Sequence, residues 1–217
     1  MDDRLSPVLA TLVDGYRRFR ETGWTPHLAR WHQLGEGQQP EVMIIACSDS
    51  RVDPAQIFDV NPGEIFVVRN VAALVPPFET NPGHHGVSAA LEFATQVIKV
   101  KEIIVMGHGM CGGCKAALTQ ELQGAPPGEG GFIADWIGLL NEARDPIAER
   151  LGTTTREAER AMERAAVRVS LANLRSFPCI RRQEREGVLK LRGAFFRISD
   201  GVLHLLDEGT GEFSPVS

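Results

Sequence analysis

The sequence predicts an α/β fold, in which a central, mainly parallel β-sheet is flanked by helices and preceded by an N-terminal helical arm. Apolar, β-prone runs such as 42–46 and 103–106 alternate with segments whose apolar residues recur at helical spacing. This alternation is typical of parallel strands joined by crossover helices that cover both faces of a sheet. Two of the apolar runs are followed directly by motifs containing cysteine, and open α/β sheets bind ligands at the carboxyl ends of their strands.

The first segment of the chain predicts helices. Leu5, Leu9, Leu12 and Tyr16 recur at helical spacing, which predicts an amphipathic helix over 4–21 that ends near Gly23. A second, short helix is predicted over 27–34. A polar connection then leads to the first strand. We expect one domain over 1–217, with the arm at 1–35 and the core at 36–206.

The core predicts alternating strands and helices. The predicted strands span 42–46, 64–68, 102–107, 188–198 and 202–206. The predicted helices span 86–98, Gly113 to about Leu122, 132–150, 154–176 and 178–186. Thr154 and Glu157 form a capping-box pattern, and Asp200-Gly201 is a hairpin-turn signal. The proline- and glycine-rich segment 124–131 is predicted to be a surface loop.

The composition of the chain limits which binding partners and which cellular compartment we expect. The net charge is −5 with acids and bases interspersed, so we expect no nucleic-acid partner. No apolar run approaches the length of a membrane span, and the acidic N-terminus does not resemble a signal peptide, so we expect a cytoplasmic protein without a membrane partner. In that compartment the four cysteines are expected to be metal ligands or packed thiols rather than disulfides.

Two motifs predict a metal site. Cys47 opens the run Cys-Ser-Asp-Ser-Arg after the first strand, and His108 and Cys111 follow the strand at 102–107. If the two strands are parallel neighbours, two thiolates and one imidazole meet at one sheet edge, which suits zinc. Three protein ligands leave a fourth position for water, as in catalytic zinc sites. We therefore predict one Zn²⁺ per chain, bound by these three side chains.

These motifs resemble those of β-class carbonic anhydrases. The likeness covers roughly residues 36 to 206 and includes further runs in the family's order: Pro62–Glu64, Val67–Ala72, Leu74–Pro77, His85–Gly86, Ala89–Phe93 and Cys111–Gly113. The resemblance implies the β-carbonic anhydrase fold and the reversible hydration of CO₂ to bicarbonate and a proton. Zinc-bound hydroxide would be the attacking group.

Asp49 and Arg51 follow the first ligand closely and are the predicted catalytic residues. A carboxylate beside zinc accepts the proton of the nucleophile and aims its lone pair, while the arginine keeps that carboxylate ionised. If the pair breaks, Asp49 becomes a candidate fourth zinc ligand that closes the site. The alternative is that Asp49 and Arg51 form only a local salt bridge in a turn.

The resemblance to the plant-type branch of the family also implies a substrate pocket. Gln38 would donate a hydrogen bond to a substrate oxygen, and Phe66, Val71 and Phe93 would form an apolar wall. The alternative is that the aromatic rings are ordinary core residues. The plant pattern usually has tyrosine where this chain has Phe93. Gly112, at the start of a helix, would let the backbone approach the substrate and supply N–H groups.

The family resemblance further implies a homodimer or homotetramer, with the N-terminal helix packed on a second copy and the active site at the interface. The amphipathic pattern of that helix would equally suit packing on its own domain. One branch of the family has a second bicarbonate site that requires Trp and Gly where this chain has Ile44 and Ala46. We therefore expect an enzyme without bicarbonate cooperativity.

Three alternatives remain open from the residues. Cys111 and Cys114 form a C-x-x-C pair that is also typical of thiol redox proteins. Cys114 is alternatively a fourth ligand of a closed structural zinc site. A hydrolase of carbonyl sulfide or carbon disulfide would use the same ligands. His84 and His85 are candidates for proton relay or for a structural role at a helix start.

Overall fold

The structure, a computed structural model, describes residues 6–216. The chain divides into two units, of which the first ends at Gln38 and the second begins at Gln39. In the first unit, helix α1 spans Pro7–Phe19 and helix α2 spans Leu28–Gly35, with π- and 3₁₀-helical turns between them. The hydroxyl of Ser6 caps α1, and Pro7 supplies the fixed φ that suits a first helical position. The predicted helical residues 4 and 5 lie outside the described residues.

The second unit is built on a six-stranded sheet. Its strands are β1 (Val42–Cys47), β2 (Ile65–Asn70), β3 (Glu102–His108), β4 (Lys190–Arg197), β5 (Val202–Asp207) and β6 (Glu212–Pro215). Their spatial order is β2-β1-β3-β4-β5-β6. The first four strands are parallel, and β5 and β6 are added antiparallel at one edge. The predicted mainly parallel sheet is therefore confirmed.

Seven helices are described in this second unit. They are α3 (Pro54–Ile57), α4 (Gly86–Glu92), α5 (Gly112–Thr119), α6 (Gly131–Ile137), α7 (Asn141–Leu151), α8 (Arg156–Leu174) and α9 (Pro178–Arg185). A π-helical segment, Phe93–Ile98, continues α4. Within residues 6–216, no helix has the length and apolarity needed to cross a membrane.

The core lies on both faces of the sheet because β1 and β3 are apolar on both sides. Met43 and Ile45 pack with Leu171 and Phe177 on one face, and Ile44 packs in a separate cluster. A further cluster surrounds the carboxyl edge of the sheet and contains Cys47, Cys111 and Cys114 together with residues of α5 and α8. The edge where the motifs meet is thus supported by its own core.

Several predicted boundaries differ from the structure. The capping box at Thr154 was wrong, because Thr155 is the N-cap and its hydroxyl accepts from the Ala158 N–H. The helix predicted over 132–150 is divided by a 3₁₀ turn at Gly138–Leu140, and α5 ends at Thr119 because Gln120 is left-handed. Two short elements, α3 and β6, were not predicted from the sequence.

Candidate metal centre

The two motifs meet at the carboxyl edge of the sheet because β1 and β3 are parallel neighbours. Val42 pairs with Glu102 and Ala46 with Met106. Cys47 is the last residue of β1, His108 is the last residue of β3, and Cys111 is the N-cap of α5. Two strand ends and one helix start therefore supply the three predicted ligands.

The three side chains form one compact donor set. Their candidate ligand atoms lie within 4.8 Å of one another, and among residues 6–216 they are the one group of this kind. The Sγ atoms of Cys47 and Cys111 are 4.0 Å apart. All three residues are buried. Such a set of thiols and one imidazole, excluded from solvent, is arranged to bind a metal ion.

The ring of His108 is oriented for ligation. Its Nδ1 lies 2.9 Å from the carbonyl oxygen of Gly109, to which a protonated Nδ1 donates a hydrogen bond. Its Nε2 is buried and has no hydrogen-bond partner among the described residues. A hydrogen bond at one ring nitrogen fixes the tautomer that leaves the other free for a metal. The unpartnered Nε2 therefore fits a bound zinc ion.

The thiols of Cys47 and Cys111 are also suited to binding a cation. Contact with the Cys111 thiol and burial raise the pKa of Cys47 to about 12. Contact with the Cys114 thiol and burial raise the pKa of Cys111 to about 12. Without metal both groups are protonated at neutral pH, and a divalent cation supplies the positive charge that stabilises them as thiolates. Their softness and number favour zinc.

Asp49 and Arg51 form a bidentate ion pair beside the donor set. Arg51 donates from Nε to Asp49 Oδ1 at 2.9 Å and from Nη2 to Oδ2 at 2.7 Å. The guanidinium holds the pKa of the Asp49 carboxyl well below its usual range. Asp49 Oδ2 lies 4.0 Å from His108 Nε2, so the carboxylate is adjacent to the position that a bound metal would occupy.

Arg51 also contacts the second motif. Its Nη2 donates to the carbonyl oxygen of Met110 at 3.0 Å. Met110 has a positive φ of 58°, a left-handed conformation in the short turn between His108 and Cys111. Arg51 therefore links the two ligand-bearing motifs as well as holding Asp49.

Arg69, at the end of β2, supports the first motif, and the sequence analysis assigned it no role. It donates to the carbonyl oxygens of Cys47 at 2.9 Å and Asp49 at 2.6 Å, and its Nη1 contacts Asp53 at 3.0 Å. These bonds fix the backbone at both ends of the segment from Cys47 to Asp49. An arginine in an otherwise apolar strand run is the sequence signal that points to such a role.

Glu163, on α8, supports the second motif and was also missed. It is 4 % exposed, and its Oε1 accepts the Cys111 N–H at 3.2 Å. Burial raises the pKa of this carboxyl, and the Met110 and Cys111 N–H groups act against that shift. No local motif marks Glu163, because its partner lies 52 residues earlier in the chain.

Val71 and Gly112 lie near the ligands. Val71 is 37 % exposed in the 3₁₀ turn after β2, and its carbonyl oxygen accepts a hydrogen bond from the indole of Trp136. Its Cγ1 is 2.6 Å from where a Cβ on Gly113 would stand. No atom lies within 4 Å of the corresponding position on Gly112, so that residue keeps open space beside Cys111.

Phe66 and Phe93 form a stacked pair, with ring centroids 5.9 Å apart. Phe66 pairs in register with Met43, four residues before Cys47, which is about 13 Å along the strand. It packs against the cluster around Met43, whereas Cys47 and Cys111 belong to another cluster. Within one chain the structure thus groups these two rings with each other rather than with the ligands. Gln38 ends the first unit and is exposed.

The remaining candidates occupy separate places. Cys114 is buried one helical turn after Cys111, and it is not a member of the group of potential ligands. His84 and His85 line an open cavity of about 480 Å³ together with Trp136. Since the Trp136 indole contacts the Val71 carbonyl, this cavity adjoins the turn after β2.

The fold and the site define a class of protein: an α/β enzyme with one zinc ion bound by two thiolates and one imidazole, with an ionised carboxylate beside it. Comparison with known proteins gives the family. Residues 42–203 match the family model described as carbonic anhydrase. Beta carbonic anhydrase 3 of Arabidopsis thaliana is 32% identical over 206 residues, which are 94% of this chain and 79% of that protein.

Solved structures agree with this result. The beta-carbonic anhydrase CcaA superimposes with a TM-score of 0.89 at 29% identity, covering 98% of this chain and 93% of the other. One of two tetrameric beta-carbonic anhydrases from Sordaria macrospora gives a TM-score of 0.73 at 30% identity, covering 91% and 94%. The chain belongs to the carbonic anhydrase family and is a β-class member, a zinc enzyme of CO₂ hydration.

Proposed function

We propose that this chain hydrates CO₂ reversibly to bicarbonate and a proton, with Asp49 and Arg51 as the catalytic pair. The proposal rests on one observation: the ionised carboxylate of Asp49 lies 4.0 Å from His108 Nε2. Cys47, His108 and Cys111 would hold the zinc ion. When bound, zinc lowers the pKa of a coordinated water and so supplies the nucleophile for CO₂.

Asp49 acts as a hydrogen-bond acceptor. Because Arg51 lowers its pKa far below neutrality, Asp49 is ionised throughout the working pH range and has no proton to donate. It therefore accepts a hydrogen bond from the attacking group and fixes the direction of that group's remaining lone pair. Arg51 keeps the carboxylate in this orientation through two hydrogen bonds, and its contact with Met110 prevents the pair from turning as a unit.

The substrate pocket is assembled from two copies in this proposal. Val71 and the backbone of Gly112 lie beside the ligands of their own chain. The stacked pair Phe66–Phe93 lies further along the sheet, and Phe93 is 43% exposed, so it is free to contact a second copy. We assign these two rings and Gln38 to the metal site of that second copy, where they would exclude water and orient the substrate.

A homodimer or homotetramer formed through the N-terminal helix follows from the same proposal. The apolar side chains of α1 are exposed, with Val8 at 75%, Leu12 at 67% and Tyr16 at 57%. Apolar faces of this kind are typical of association surfaces.

Leu12→Glu should shift the mass in sedimentation velocity to that of the monomer. Thr11→Glu adds the same charge one residue away and should leave the oligomer intact; dissociation by both variants alike would contradict the proposal.

A cytoplasmic location is also proposed. All four cysteines are free thiols, and thiolate zinc ligands persist in reducing surroundings. Fractionation of the source cells would test this, and recovery of the protein outside the cytoplasm would contradict it.

Stopped-flow CO₂ hydration of the zinc-loaded protein tests the catalytic pair. Asp49→Ala should lower the rate by about 10²-fold, the cost of losing the orientation of the attacking group, while the bound zinc remains. Asp145→Ala is the matched control, because Asp145 forms a similar ion pair with the neighbouring Arg144 away from the donor set. Equal rates in the Asp49 variant and the parent would remove the proposed role.

A further inference from the structure

A second cavity lies beside the metal centre, at the same edge of the sheet. It has a volume of about 230 Å³ and is bounded by the turn after β3, the end of β4 and the first half of α8. Since β3 and β4 are parallel, their carboxyl ends meet at this edge, where α/β sheets bind ligands. Met110 forms part of its wall, whereas the three metal ligands do not line it. The cavity is therefore a separate compartment.

Arginine dominates the lining. Arg156, Arg160 and Arg164 follow one another at intervals of four on α8, so they share a face of that helix, and Arg197 faces them from the end of β4. In a chain of net charge −5, four guanidinium groups against two carboxyl groups, those of Glu159 and Glu163, form a local excess of positive charge around one small cavity. Such concave basic surfaces attract anions.

Two of these arginines lack a carboxylate partner. Arg156 pairs with Glu159 at 2.9 Å, and Arg197 pairs with Asp200. Within the described residues, neither Arg160 nor Arg164 makes an ion pair, and Glu163 directs its carboxylate to the Cys111 N–H instead. Arg160 and Arg164 are thus the two arginines of the lining without an ion pair among the described residues, while the lining also includes Glu159 and Glu163.

Arg164 provides the second observation. Its guanidinium lies over the rings of Phe195 and Phe213, at 5.8 and 5.7 Å from their centroids. Its Nε is buried and has no hydrogen-bond partner among residues 6–216. A buried donor without a partner is unfavourable. Arg164 also lines the cavity, so an oxyanion bound there would supply a countercharge to its guanidinium.

We propose that this arginine pocket binds a small dianionic oxyanion. Guanidinium groups present paired N–H donors that match the oxygens of phosphate or carboxylate groups. Two unpaired arginines balance a dianion, and the volume suits a ligand of the size of inorganic phosphate or a short dicarboxylate. The site is distinct from the zinc position, because none of the three metal ligands lines the cavity.

Isothermal titration of the zinc-loaded protein with inorganic phosphate, and separately with succinate, tests the proposal. We expect binding of at least one of the two, and the stronger of them identifies the ligand class. Arg160→Gln and Arg164→Gln should each weaken that binding by about tenfold or more, as loss of a charge-assisted hydrogen bond does. Arg182→Gln removes the same charge from an exposed position on α9 and should have no effect.

Arg160 is exposed, so its substitution tests binding without disturbing the core. Arg164→Lys is the conservative substitution at this position, because it keeps the positive charge and much of the packing on the phenylalanine rings. Circular dichroism verifies the fold of each variant. Absence of binding by both anions overturns the proposal. Binding that Arg160→Gln and Arg164→Gln leave unchanged also overturns it, because the anion would then be held elsewhere, for example at the zinc ion.

Discussion

At the residue scale, the state of the two thiols determines how the site takes up metal. In the absence of metal, the pKa values of Cys47 and Cys111 are both raised to about 12, which places the thiols in the protonated form at physiological pH. Zinc binds thiolates, so metal and protons compete for the same sulfur atoms. Affinity for zinc should accordingly increase as the pH rises.

Proton release measures this competition directly. Binding of zinc to the metal-free chain at pH 7.5 should release about two protons, one from each thiol. Titration calorimetry in buffers of different ionisation enthalpy gives that number. A value near zero would show that the thiols are already ionised, which would contradict the environment described for Cys47 and Cys111.

Cys114 distinguishes a catalytic from a closed structural zinc site. It lies one helical turn after Cys111 but outside the donor group, so Cys114→Ala should retain one zinc per chain and the hydration rate of the parent. Cys111→Ala is the matched comparison and should lose the metal on dialysis. Metal analysis that finds zinc lost from both variants would instead make Cys114 a ligand.

The ligands could be predicted from the sequence, but the residues that hold them could not. Cys47, His108 and Cys111 stand in short motifs at the ends of apolar runs, so local pattern and strand order were sufficient. Arg69 and Glu163 contact the motifs from 22 and 52 residues away. Their partners are backbone groups, which carry no residue type for a sequence pattern to recognise.

At the scale of elements, the site depends on how closely α5 packs against the turn after β2. Gly113 lies where a Cβ would stand 2.6 Å from Val71 Cγ1 and 3.1 Å from Ala72 Cβ. Ala72 has a positive φ of 63°, so this turn has little freedom to move away. Glycine at this position thus permits the approach of helix and turn beside the ligands.

Gly113→Ala should destabilise the zinc-loaded protein by about 1–3 kcal/mol, the usual cost of overpacking. Gly112→Ala is the matched control on the same helix. Its added Cβ would meet no neighbouring atom within 4 Å, and as an exposed first residue of α5 it should change the stability by no more than about 0.5 kcal/mol. Urea unfolding compares the two, and equal stability of the variants would contradict the close packing described for Gly113.

Element types were predicted better than element ends. Long apolar runs and periodic segments identified β1, β3 and α8, because burial on a sheet face imposes those patterns. Ends depend on single hydrogen bonds, and Thr155 rather than Thr154 makes the capping bond of α8. The strand β6 was missed because it has only four residues and one buried side chain, Phe213.

At the scale of the whole molecule, the chain combines a metal centre with surfaces that a single copy leaves exposed. The apolar side chains of α1 and the ring of Phe93 are examples. The sequence predicted the N-terminal helix from its apolar spacing but left open whether it packs on its own domain or on a second copy. It could not place Phe66 and Phe93 relative to the ligands, since their distance depends on strand register.

The arginine pocket adds a second feature at this scale. It lies at the same sheet edge as the zinc position and shares the Met110 turn with it. Its residues come from α8 and the end of β4, so no contiguous motif predicted it. One sheet edge therefore carries both the site of chemistry and the proposed anion site.

The most direct test of the account is the CO₂ hydration rate measured by stopped flow while zinc is added to the metal-free protein. The account predicts that the rate rises in proportion to bound zinc and stops rising at one equivalent per chain, and that a chelator reverses it. One equivalent of bound zinc without hydration above the buffer rate would contradict it.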